Sequence, residues 1–211
     1  MGKLGVTLNS TAGVFFANFV GDNLHNNDIF DLNSLGNRDE CFAPYFQLRT
    51  NFLRHGIELN TKDINKENNL VFELHMDVQK IVNCNIPHYV ILCESPIIRP
   101  VNQQKSLLAK YERVFTWRDD WVDDKRYIKL NLPNQLVIDD SRGWNGRDKL
   151  CCMITGNRAA AHASPYLLYA ERIKSIVWFE QNAPKDFDLF GIGWDEPTAT
   201  TIAIPPETVE R

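Results

Sequence analysis

The chain has no run approaching the roughly 18 consecutive apolar residues that a membrane-spanning helix needs. Its first residues (Met1, Gly2, Lys3, Leu4, Gly5) also lack the unbroken apolar stretch of a secretory signal. No integral membrane segment is therefore expected, and a cytoplasmic location is. An excess of positive charge is missing too: 23 basic residues face 27 acidic ones, a net charge of -4, so nucleic acid is not an expected partner. The five cysteines form neither a redox CxxC nor a zinc-site spacing, and their odd number fits reduced thiols. Cys93, Cys151 and Cys152 lie in apolar runs and are expected to act as small hydrophobes. The histidines (His25, His55, His75, His88, His162) are scattered without ligand spacing, so no metal is expected. Neither GxGxxG nor a Walker pattern occurs.

What remains is an ordinary globular composition in 211 residues, 44% hydrophobic and 24% charged, which is ample for a buried core. Short apolar runs alternate with helical stretches over the first 140 or so residues, the pattern of βα units and a mainly parallel sheet. Strands are expected at 3–9, 57–60, 70–75, 89–93 and 114–117. A helix carrying Phe42, Tyr45, Phe46, Phe52 and Leu53 should stop at Arg54-His55-Gly56, and a second should span 105–111. Pro133, Gly143 and Gly146 mark 131–148 as a linker or long loop. The pattern then restarts: a strand at 150–155, a loop, a helix over 166–182 with a stripe through Tyr169, Ile173, Ile176, Val177 and Glu180, and a strand at 187–191. The expected organisation is a domain over 1–148, the start of a second over 149–195, and a mobile tail over 196–211.

Three places could carry chemistry. Glu94 follows the most apolar strand, and in open α/β sheets ligands gather outside the carboxyl ends of strands. Flanked by apolar residues and Pro96, its carboxylate is expected to be partly desolvated, as suits a general base. Asn157 lies in a strand-to-helix loop, where backbone amides can hold phosphate, and Arg172 lies in the helix that follows. Asp186-Phe187-Asp188 matches the DxD pattern of metal-dependent glycosyltransferases, but hard cations want several converging oxygens, and a structural role is the expectation. Asp119-Asp120 and Asp123-Asp124, mixed with Arg118, Lys125 and Arg126, read as a solvated surface.

Taken in order, "PYFQLRTNFLRHGIELNT", "YVILCESPIIRP", "YERVFTWRDDWVDDKRYIKLNLP", "KLCCMITGNRAAAH" and "LLYAERIKSIVWFEQNAPKDFDLFGIGWD" resemble the α-1,3-fucosyltransferase family, glycosyltransferase family ten, above all its bacterial and viral members. The resemblance runs from about Pro44 to Asp195. It implies an α/β fold with two facing Rossmann-like domains, the GT-B arrangement, of which this chain holds the first and the beginning of the second. It also implies inverting transfer of fucose from GDP-fucose to a glycan hydroxyl, with no cofactor beyond the nucleotide sugar. The family's base matches Glu94, its arginine near the donor diphosphate matches Arg172, and its loop asparagine matches Asn157. The family's Tyr-x-x-Glu-Lys donor-binding run has no counterpart before Arg211, so the expectation is either the amino-terminal part of a longer enzyme or a protein that has lost donor binding. Two other readings stand beside this one: a non-catalytic glycan-binding module, and a compact metal-dependent UDP-sugar transferase using Asp186 and Asp188 on one continuous sheet.

Overall fold

The computed structural model describes residues 15–65, 70–131, 146–157 and 168–194. They fall into two compact units, divided after Val137. The expected strand at 3–9, most of the expected linker and the expected tail lie outside the described residues.

In the first unit the strands are β1 (Phe15–Val20), β2 (Ile57–Thr61), β3 (Leu70–Met76), β4 (His88–Ile91), β5 (Arg113–Thr116) and β6 (Tyr127–Lys129). They form one sheet in the order β2-β1-β3-β4-β5-β6, and every pairing is parallel. This is an α/β unit consistent with a Rossmann-like fold. Helix α1 (Ala43–Arg54) crosses from β1 to β2, and the short α2 (Lys105–Leu108) precedes β5. Gly56 ends α1 as expected: at φ 76° it takes the left-handed turn and donates its N–H to the Leu53 carbonyl at 3.0 Å. Helix α2 is shorter than expected because the chain tightens at its end, with Lys110 and Tyr111 N–H bonding the carbonyls of Leu107 and Leu108.

Alternation along the strands sorts the side chains onto two faces. On one, Ala17, Phe19, Leu59, Leu74 and Ile91 are buried, and Phe42, Tyr45, Leu48 and Phe52 of the α1 region pack against them. On the other, Val90, Leu92 and Val114 are buried with Leu108 and Tyr111. Burying each large apolar side chain here contributes about 1.5–3 kcal/mol. Beside that second cluster the same face turns polar. Asn60, Asn18, Glu73 and His88 stand in one register row across β2, β1, β3 and β4, and all four are buried.

The second unit contains β7 (Cys151–Ile154), α3 (Leu168–Asn182) and β8 (Phe187–Phe190), with β7 and β8 paired in parallel. Two separate sheets, not one continuous sheet, are thus present among the described residues. Ile176 is the buried residue of α3, whereas Val177 of the expected stripe is exposed, and Phe179 stacks on Phe187 at 4.8 Å. Cys152 is exposed, contrary to expectation, because β7 alternates and its apolar neighbours do not bury it.

Candidate active site at the carboxyl ends of the strands

The chain leaves β1 for β2 on one side and returns to β3 on the other, so the sheet reverses its order of growth between β1 and β3. Crevices at such a point gather ligands. Asp22 follows β1, Asp77 follows β3 and Glu94 follows β4.

Asp77 organises this rim. It is 5% exposed and holds φ 58°, a left-handed conformation that Asp tolerates better than most residues. Its Oδ1 accepts three hydrogen bonds, from Cys93 N–H at 2.7 Å, Glu94 N–H at 3.0 Å and Asn102 Nδ2 at 2.8 Å. Buried Asn102 also donates to the Glu94 carbonyl at 3.0 Å and accepts from Val78 N–H at 3.0 Å. Both backbone polar groups of Glu94 are therefore clamped, while its side chain is exposed. The expected desolvation of that carboxylate is not found: the chain turns outward after Cys93 and presents the group to solvent.

Arg99 ties the neighbouring loops together. It pairs with Asp22 and donates from Nη2 to the Val78 carbonyl at 2.9 Å. Gln79 Nε2 donates to Asp22 at 3.2 Å, and the hydrogen bond from Arg99 holds the Asp22 carboxyl below the usual range. A 550 Å³ cavity borders this loop, its lining including Lys80, Arg99 and Lys110. Burial pushes the neighbouring Cys93 thiol up to about 11, so it is a protonated packing group near neutral pH and not a thiolate nucleophile.

The second unit brings Asn157 and Arg172 to one place. Arg172 Nη1 donates to Thr155 Oγ1 at 3.1 Å, and the guanidinium lies 5.0 Å from the Tyr169 ring centre. Asn157 Nδ2 donates to the Gly193 carbonyl at 2.8 Å, and Trp194 Nε1 donates to the Thr155 carbonyl at 2.7 Å. Asn157 thus sits on the segment leaving the carboxyl end of β7, Arg172 reaches that segment from α3 through Thr155, and no carboxylate pairs with Arg172 among the described residues. Asp188 is committed elsewhere, to an ion pair with Lys149, and the Asp186 carbonyl accepts the Cys151 N–H. Asp119, Asp120, Asp123 and Asp124 are exposed, as expected.

Sequence reasoning missed Asp77 and Asn102, and it also missed a buried group of Glu73, His75 and His88 that could hold a metal ion. A signal for the latter was present: two polar residues two apart on an apolar strand must share one face. No family model, curated protein or solved structure matches the chain.

Proposed function

We propose that the chain is the acceptor-side part of an inverting glycosyltransferase of the GT-B type, together with the beginning of its donor-binding domain. By resemblance the donor is GDP-fucose, the acceptor a glycan hydroxyl and the setting cytoplasmic. The observation that carries this reading is Glu94, an exposed carboxylate at the rim of a parallel sheet whose backbone is fixed on both sides by Asp77 and Asn102. A fixed backbone under a free carboxylate suits a group that must meet an incoming alcohol at a defined place.

In this reading Glu94 takes the proton from the acceptor hydroxyl as that oxygen attacks the anomeric carbon. Attack comes from the face opposite the leaving phosphate, which inverts the centre. Arg172, free of a carboxylate partner among the described residues, neutralises charge growing on the departing nucleotide diphosphate. Asn157 fixes the loop beside it through the Gly193 carbonyl.

The test is transfer from GDP-fucose to an oligosaccharide, with GDP affinity measured in parallel by titration. Glu94→Gln is expected to lower turnover about a hundredfold or more while leaving GDP affinity unchanged. Full turnover in that variant removes Glu94 from the reaction. A chain that binds oligosaccharide but neither GDP nor GDP-fucose favours the recognition-module reading, and unchanged turnover of Glu94→Gln in the enzyme that carries the whole donor-binding domain overturns the enzymatic one.

A further inference from the structure

The polar row across the sheet ends in an arrangement that hydrogen bonding alone does not satisfy. Glu73 and His75 project from the same face of β3, and the β3–β4 register sets His88 opposite Glu73. Their relative exposures are 2%, 0% and 4%. Glu73 Oε2 lies 3.2 Å from His75 Nε2 and 3.2 Å from His88 Nε2. Only the first contact has hydrogen-bond geometry, and His88 Nε2 is a buried nitrogen with no hydrogen-bond partner. A buried, unsatisfied ring nitrogen aimed at a carboxylate oxygen calls for a cation between them.

The spacing suits a metal ion. Ligand atoms held about 2.0–2.1 Å from a tetrahedral zinc ion lie about 3.3 Å apart, close to both separations here. The three ligand atoms all lie within 4.8 Å of one another. Two imidazoles and one carboxylate form a donor set that zinc accepts. The outer contacts are those that orient metal ligands. His75 Nδ1 is 2.9 Å from the Tyr111 hydroxyl, so Nε2 can face the ion while Nδ1 carries the proton. Tyr111 is held in turn by the Gln79 backbone, its oxygen accepting from Gln79 N–H at 3.1 Å and its hydroxyl donating to the Gln79 carbonyl at 3.3 Å. Asn18 Nδ2 donates to the other Glu73 oxygen at 2.9 Å. Half-exposed Lys62, 3.6 Å from that same oxygen, marks the side from which solvent reaches the group.

We propose that Glu73, His75 and His88 form a binding site for one divalent transition-metal ion, zinc fitting best, which joins β3 to β4 beneath the rim. The site is independent of the sugar-transfer reading, since none of its ligands takes part in that chemistry.

The experiment uses the full chain, stripped with chelator and titrated with zinc chloride, then with cobalt(II) as a spectroscopic probe. The expected result is uptake of one ion per chain, a raised melting temperature, and a cobalt spectrum without a thiolate charge-transfer band. His88→Gln should weaken zinc binding by at least about a hundredfold, since even outer-shell changes cost 10–100-fold. A Cys151→Ser/Cys152→Ser double variant should bind as the parent does. Absence of saturable uptake overturns the proposal, as does a thiolate band or unchanged affinity in His88→Gln. If His88→Gln does not fold, the cobalt spectrum of the parent chain decides between imidazole–carboxylate and thiolate ligation.

Discussion

A single buried carboxylate, Asp77, does more for the candidate active site than its place in the sequence suggests. Its one oxygen gathers three donors, two from the loop bearing Glu94 and one from Asn102. Asp77→Ala removes that acceptor while keeping a side chain at φ 58°, and should cost about 3 kcal/mol in urea denaturation. Asp77→Asn retains an acceptor oxygen and tolerates the same backbone, so its cost should be near 1 kcal/mol. Equal losses in the two variants would show that the clamp contributes nothing. Glu73 yields a pH prediction for the metal-free chain. Its carboxyl is depressed from 4.5 to about 2: burial opposes ionisation, but His75, Asn18 and Lys62 outweigh it. The unfolded chain therefore binds the proton more tightly, and the stabilisation, about 3 kcal/mol when complete, is lost as pH falls from about 4.5 toward 2. His88 acts in the same direction at higher pH, because burial holds its pKa below 6.5, and the stability it confers falls away on acidification below that value. The groups facing Glu73 are Asn18 from β1, His75 from β3, His88 from β4 and Lys62. Glu73→Gln should flatten the loss between pH 4.5 and 2, checked by urea midpoints across that range.

Elements with strong periodicity were legible in the sequence, and those defined by partners were not. Helix α1, its glycine stop, and the strands β2, β3, β7 and β8 follow from local pattern, although Phe46 and Leu53 of the expected α1 face are exposed and Leu48 packs instead. Strand β1, next to the edge strand β2, escaped notice. Its run Phe-Phe-Ala-Asn-Phe-Val places a buried asparagine among apolar residues, and only the cross-strand partners Asn60 and Glu73 make that residue intelligible. Strand β6 has three residues and exists as strand through its pairing with β5. Glu94 could be found from its position after a strand, whereas the Asp77 clamp depends on bonds spanning 16 to 25 residues. Gly191, just past β8, shows how tightly a strand end can be set. At φ 141°, a Cβ placed there would stand 1.8 Å from the Thr155 carbonyl oxygen. Gly191→Ala should destabilise the second unit by more than about 3 kcal/mol, and thermal unfolding of that unit checks it.

The two units of the molecule differ in how much they bury. The first has two apolar clusters on opposite faces of a six-stranded sheet, while in the second the described buried hydrophobics are Ile176 and Phe187. Local opening should therefore cost far less in the second. Amide hydrogen exchange is expected to be roughly a hundredfold slower in β1, β3 and β4 than in β7 and β8. Equal protection in all five strands would mean that the units unfold as one.

The position of β1 also bears on synthesis. Among the described residues, the first strand of the sheet to leave the ribosome is paired on both flanks by strands made later, β2 ending at Thr61 and β3 at Met76. The segment bearing Phe15, Phe16 and Phe19 must then wait, its backbone unpaired on either side, until dozens more residues have emerged. Parallel pairings of this separation close slowly, and the nascent chain should lean on chaperones until β3 arrives.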